Sequence, residues 1–254
     1  MSDFVLVEEH GAVLVIAINR PRQRNAVNRA VSLAIAEALD LLDARADLRV
    51  GIITGREGNF CSGMDLKAFV DGERPELEGR GFGGLCEKSP EKPVIAAVEG
   101  FALAGGCELA LACDLIVAAE DAWFGLPEAA RGLVAASGGL LRLPRRIPPA
   151  IALEYALTAE RFGAPVAHQW GMVNRLTLPG GALDGALRLA GQIAANAPLS
   201  VAMSKRIIAE SADWPMEGIF DRQRPLAEAV IGSHDALEGA TAFAERRAPL
   251  WRGQ

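Results

Sequence analysis

The chain has 254 residues, half of them hydrophobic, 23% charged, with a formal net charge of −6. That suffices for one large domain, or a domain plus an extension, around a sizeable core. The acidic balance argues against nucleic acid as the main partner, but local basic residues can still hold a phosphate-bearing ligand. Cys61, Cys86, Cys107 and Cys113 form no CxxC pair, so reduced thiols in a cytoplasmic protein are expected.

The acidic, strand-like start MSDFVLVEEHG is not expected to be a signal peptide. Phe4 to Glu9 and Val13 to Asn19 alternate apolar and polar residues around His10-Gly11, which predicts a β-hairpin. The loop Arg20-Pro21-Arg22-Gln23-Arg24-Asn25 carries three arginines, either as a solvated turn or as a phosphate contact. Val31, Ile35, Leu39 and Leu42 have helical spacing, so a helix is expected over Asn28 to Ala44, with Asn28 as its cap. Val50 to Thr54 reads as a buried strand. In Asn59 to Lys67 a Ser-Gly turn places Asp65 near a helix start.

The segment from Phe69 to Pro90 is polar and glycine-rich. It contains Gly79-Arg80-Gly81-Phe82-Gly83-Gly84, which fits GxGxxG, but no strand precedes it, so a dinucleotide site is rejected. Phe82 and Leu85 either touch a ligand or anchor the loop. Val94 to Val98 and Leu115 to Ala118 are apolar runs read as buried strands, flanking the helix-like Cys107 to Cys113. Leu109 to Ala119 is broken by Asp114 and too short to cross a bilayer, so no membrane partner is expected. The basic cluster from Leu140 to Arg146 reads as surface or subunit contact. Helical patterns follow over Ala150–Ala159, Ala164–Trp170, Leu183–Ala197, Pro198–Ser211, Pro215–Ile231 and Asp235–Arg247, with a short strand at Val173–Leu176. This rhythm of strand, helix and loop gives an α/β class. The three histidines are far apart and lack metal-ligand spacing, so no metal is expected.

Two carboxylates, Glu108 and Glu128, lie at the mouths of apolar elements, with Ala104-Gly105-Gly106 opening a helix between them. Glycine lets a backbone approach a ligand closely, and the first N–H groups of a helix have no internal partner. Such groups can hold an oxygen that becomes negative in a transition state. A carboxylate in apolar surroundings has a raised pKa and can move protons near neutral pH. Singly, each Glu also fits an ordinary role: Glu108 as a partly buried acid paired with an arginine, Glu128 as a cap after Pro127.

VIAAVEGFALAGGCELALACDLIVAAEDAWFGLPEA resembles the signature of the enoyl-CoA hydratase/isomerase (crotonase) family. Cys61-Ser62-Gly63-Met64-Asp65-Leu66 and Asn19-Arg20-Pro21-Arg22-Gln23-Arg24-Asn25-Ala26 fall at matching places upstream, and the likeness runs from about Val5 to Arg252. It implies a superhelix of repeated ββα units with a C-terminal helical extension. Residues 1–195 would form the core and 196–254 an oligomerisation region, in a trimer or hexamer.

The resemblance further implies an acyl-CoA or enoyl-CoA thioester as substrate, with no cofactor beyond the CoA it carries. It assigns the oxyanion N–H groups to Met64 and Gly105, where a Met side chain is expected to narrow the acyl pocket. Glu108 becomes the base and Glu128 the proton donor to the α carbon. Contacts to substrate or CoA fall to Arg24 in preference to Arg22, and to Ala26, Ser62, Asp65, Leu66, Lys67, Phe82 and Gly106, while Phe243 and Arg246 either touch a neighbouring subunit's CoA or form an ordinary helix end. The stretch from Ala129 to Gly139 is expected to pack behind the site, and the segment from Phe69 to Pro90 resembles the mobile segment that lines the acyl pocket in the family. Having both acids favours hydration of a 2-enoyl-CoA. An enoyl-CoA isomerase, a carnitinyl-CoA dehydratase-like enzyme and a non-catalytic acyl-CoA binding protein remain as alternatives.

Overall fold

The computed structural model describes residues 3–254; Met1 and Ser2, where the N-terminal reading begins, lie outside them. The hairpin is present as β1 (Val5–His10) and β2 (Val13–Ile18), paired antiparallel. Helix α1 (Arg29–Ala44) follows, with Asn28 Oδ1 accepting from the Val31 N–H at 3.1 Å, an N-cap. Next come β3 (Val50–Gly55), the short α2 (Leu66–Val70), β4 (Val94–Val98), β5 (Phe101–Leu103) and α3 (Gly105–Ala112). Then follow β6 (Leu115–Ala119), β7 (Trp123–Gly125), α4 (Gly139–Arg146), α5 (Pro149–Thr158), β8 (Phe162–Gly163), α6 (Ala164–Gln169) and β9 (Arg175–Thr177). The chain closes with α7 (Ala182–Ala194), α8 (Pro198–Ser211), α9 (Ile219–Ile231) and α10 (His234–Glu245).

The main sheet runs β1-β2-β3-β4-β6-β9, parallel from β2 onward. Its central strands are buried on both faces, so they read as continuous apolar runs. The period of two still sorts their side chains. Leu14, Ile16, Ile18, Ala96 and Val98 face the larger core with α1 and α3, while Val13, Val15, Ile52, Ile95, Ala97 and Val117 pack with Ala182, Ala186 and Leu189 of α7. The second sheet, β5-β7-β8, pairs β5 with β7 in parallel. Thus β4–β5–α3 and β6–β7–α4 are successive ββα turns. A bridge from Cys61 to Ala102 extends the pattern back to the segment after β3.

Three expectations need correction. The cluster at Leu140–Arg146 belongs to α4, and two of its arginines point inward. The Arg146 guanidinium donates to the carbonyls of Leu111 and Cys113, and that of Arg142 to Cys86 and Ser137, leaving Arg145 exposed. The helix expected from Pro215 starts at Ile219, because Gly218 at φ 70° breaks the chain direction. The segment from Phe69 to Pro90 is not a free polar loop: residues 81–86 are buried, and Gly84 packs against the α1 backbone. Leu85 lies in the core, an anchor rather than a ligand contact. All four cysteines are buried and unbridged.

Candidate active site

Two glycine turns meet at the end of the second sheet. Gly63 has φ 99°, and a Cβ there would lie 3.0 Å from the Gly105 nitrogen and 2.9 Å from the Ala104 Cβ. Gly106 abuts the other side of the same segment: its Cβ would sit 2.3 Å from the Cys61 carbonyl oxygen. Only glycines let these two stretches of backbone touch. Between them, Ala104 is held at φ 52°, ψ −130°, a conformation costly for a residue with a Cβ, and the next residue opens α3. The result brings Met64 and Gly105 to the wall of one cavity, and the backbone N–H of neither has an acceptor among the described residues.

That cavity encloses about 360 Å³. Of the residues picked from sequence, it is lined by Arg24, Ser62, Met64, Leu66, Phe82, Gly105, Glu108 and Glu128. The Phe82 ring covers the face of Gly105, where a Cβ would meet its Cζ at 2.6 Å. The others lie elsewhere in the single chain. Ala26 and Gly106 are buried behind the wall, Lys67 faces outward, and Phe243 and Arg246 sit at the end of α10, with Phe243 87% exposed. Asp65 is committed twice: its Oδ1 caps α2 through Lys67 and Ala68, and its Oδ2 pairs with Arg20 at 2.8 Å. Burial pushes the Asp65 carboxyl up, but Arg20 and the two N–H donors outweigh it and hold the group below the usual range. Arg20 is therefore structural, Arg22 is exposed and off the cavity, and Arg24 reaches it.

Glu108 is 3% exposed, in the first turn of α3. Its Oε1 accepts two backbone N–H groups, from Ser137 at 2.7 Å and Gly139 at 2.9 Å. Its Oε2 has no protein partner among the described residues and is not sealed from the cavity. Glu128 lies on a 3-10 turn, Pro127–Arg131, and its Oε2 is buried without a hydrogen-bond partner. Burial pushes the Glu108 carboxyl up to about 7; the Gly139 N–H opposes this and the Glu128 charge adds to it. Burial also raises Glu128, with Arg131 pulling the other way.

Sequence reasoning missed the two N–H donors to Glu108, although it placed their stretch behind the site. It also missed Arg131 and Arg161 in the wall, while Phe69 and Glu76 come from the segment expected to line the pocket. A larger groove of about 1140 Å³ lies beside α8, but it holds neither glutamate nor the paired N–H groups. Among the described residues, no helix is long and apolar enough to cross a membrane, and no group of three or more His, Cys, Asp or Glu is placed to hold a metal ion.

The model of the enoyl-CoA hydratase/isomerase family matches residues 8–254. The chain belongs to that family. It is 44% identical, across the full length of both proteins, to the carnitinyl-CoA dehydratase of Salmonella enteritidis PT4. Among solved structures it matches an enoyl-CoA hydratase from Mycobacterium tuberculosis H37Rv with 57% identity and a TM-score of 0.98, both chains fully covered. A carnitinyl-CoA hydratase from Mycobacterium avium matches with 41% identity and a TM-score of 0.80, again over both full chains. The hydratase/isomerase fold accounts for the parallel pairing of β5 with β7 alongside β4 with β6, one ββα turn stacked on the next.

Proposed function

We propose that the protein is an enoyl-CoA hydratase that adds water reversibly to a 2-enoyl-CoA thioester. The observation that carries this is that one cavity is lined by Met64 and Gly105, whose backbone N–H groups have no acceptor among the described residues, and by two carboxylates, Glu108 buried and Glu128 half-buried. The thioester oxygen lies between the N–H groups of Met64 and Gly105 and takes up negative charge as the enolate forms. Loss of one such donor typically costs about 3–4 kcal/mol of transition-state stabilisation.

Water is held between the acids. Glu108, ionised, takes a proton from it as its oxygen bonds the β carbon. Glu128, protonated, then gives its proton to the α carbon as the enolate collapses. The hydrogen bonding supports this division of labour. Two N–H donors on Glu108 favour its charged form and offset part of the rise that burial causes, whereas the buried Glu128 oxygen has no donor to favour its charge. The same steps reversed give dehydration, the direction named for the Salmonella relative. Arg24 at the cavity mouth meets a CoA phosphate. The CoA carried by the substrate is the only cofactor the reading requires, and the exposed apolar residues of α8 to α10 hold subunits together.

Mixing the purified protein with crotonyl-CoA and following loss of the enoyl-thioester absorbance tests this. Rapid loss that Glu128→Gln suppresses by about 10²–10⁴-fold is expected for a general acid. Conjugation gained from a 3-enoyl-CoA, without hydration, would make it an isomerase. Tight acyl-CoA binding with no turnover would make it a binding protein.

A further inference from the structure

Glu108 is oriented by a turn that is itself held from outside. Ser137 and Gly139 present their N–H groups to Oε1, and between them Gly138 stands at φ 97°. The Arg142 side chain folds back over this turn. Its Nη1 donates to the Ser137 carbonyl at 3.3 Å, and a Cβ at Gly138 would lie 2.1 Å from the same nitrogen. Its Nη2 donates at 2.6 Å to the carbonyl of Cys86. Cys86 belongs to the opposite wall, since its N–H donates to the Phe82 carbonyl, and Phe82 covers Gly105. One half-buried guanidinium therefore ties the turn behind Glu108 to the segment whose Phe82 ring packs on Gly105. No carboxylate among the described residues forms an ion pair with it, so its charge stays directed at the site.

From this geometry we infer that Arg142 is a positioning residue for the hydration reaction, fixing the Ser137–Gly139 turn so that Glu108 stays aimed at the cavity. This rests on the hydratase reading of the site. The groups facing Glu108 are few. Glu128 comes from the 3-10 turn, Arg142 from α4, Cys86 from the far wall and Cys107 from its own helix. Both thiols are buried and pushed above the ordinary range, so neither supplies charge near neutral pH. β5 brings no titratable side chain, and Arg146 is spent on carbonyls at the far end of α3. Arg142 is thus the cation that acts on Glu108, adding to the pull of the Gly139 and Ser137 N–H groups it helps to hold.

The test uses Arg142→Met and Arg142→Lys in the full-length protein. With Glu128→Gln as background, the Glu108 carboxyl is titrated by ¹³C NMR of labelled glutamate. Arg142→Met is expected to raise the Glu108 midpoint by roughly half to one pH unit. Arg142→Lys keeps the charge but cannot span both carbonyls, so the midpoint holds. In the otherwise wild-type enzyme, both substitutions are expected to lower kcat about 10-fold or more with KM changed less than about 3-fold. An unchanged midpoint in Arg142→Met, or wild-type kcat in Arg142→Lys, would overturn the inference, as would a loss confined to thermal stability or to KM. Should Arg142→Met not fold, the kcat of Arg142→Lys alone decides. The NMR titration does not depend on turnover. A wild-type protein that hydrates no enoyl-CoA would therefore count against the hydratase reading, while Arg142's hold on Glu108 would still be read.

Discussion

At Glu108, burial opposes two hydrogen bonds, and burial wins, so its carboxyl rises from 4.5 to about 7. The folded protein then binds this proton more tightly than the unfolded chain does. Its contribution to stability is full below about pH 4.5 and is lost as pH climbs through about 7, by at most about 3 kcal/mol. Glu108→Gln should therefore raise the melting temperature at pH 8, with the gain vanishing near pH 4, as thermal unfolding across that range will show. Glu108 has to be ionised and Glu128 protonated, so kcat/KM should be bell-shaped, rising as pH climbs through about 7 and falling where Glu128 loses its proton. Ala104 is strained at positive φ, so Ala104→Gly should stabilise the fold by about 1 kcal/mol in chemical denaturation. The same change should slow turnover, because the Gly105 N–H is then aimed less firmly.

At the scale of elements, the hairpin and α1 were legible because period-two and period-3.6 patterns are strong there, and Asn28 caps α1 as its sequence position implies. Strands β5, β7 and β8 have three, three and two residues, too few to carry a period. Helix α4 was hidden by Pro144 and its arginines, which look solvated until Arg142 and Arg146 are seen reaching backbone carbonyls. The glutamates and glycines of the site stood out only through family likeness, since a single Glu or Gly-Gly has commoner uses. Loop arginines were ambiguous for a similar reason: charge alone does not distinguish Arg20, locked to Asp65, from Arg24 on the cavity. The Asp65 pair ties the loop before α1 to α2, and its side chains are only 14% and 11% exposed for Asp65 and Arg20. Asp65→Ala removes both an N-cap and a largely buried ion-pair partner. It should destabilise the protein by about 3 kcal/mol in urea unfolding and raise KM, because Leu66 and Phe69 of α2 line the cavity.

For the whole molecule, the main sheet covers both of its faces within the chain, whereas the helices beyond it do not cover theirs. The region from α8 to α10 exposes Ile208, Met216, Phe220, Ile231 and Leu237, each at least 70% open in the single chain. Surface of that kind calls for a partner. On the oligomer reading, sedimentation should give a trimer or hexamer, and Phe220→Ser with Ile231→Ser should shift it toward monomer. The account as a whole depends on how a thioester sits against the Met64 and Gly105 amides. A crystal structure with butyryl-CoA, which has no double bond to hydrate, measures that directly. The account predicts the thioester oxygen about 2.7–3.1 Å from both nitrogens, with Glu108 and Glu128 facing the β and α carbons. A thioester bound away from those amides, or carboxylates that do not face the acyl group, would contradict it.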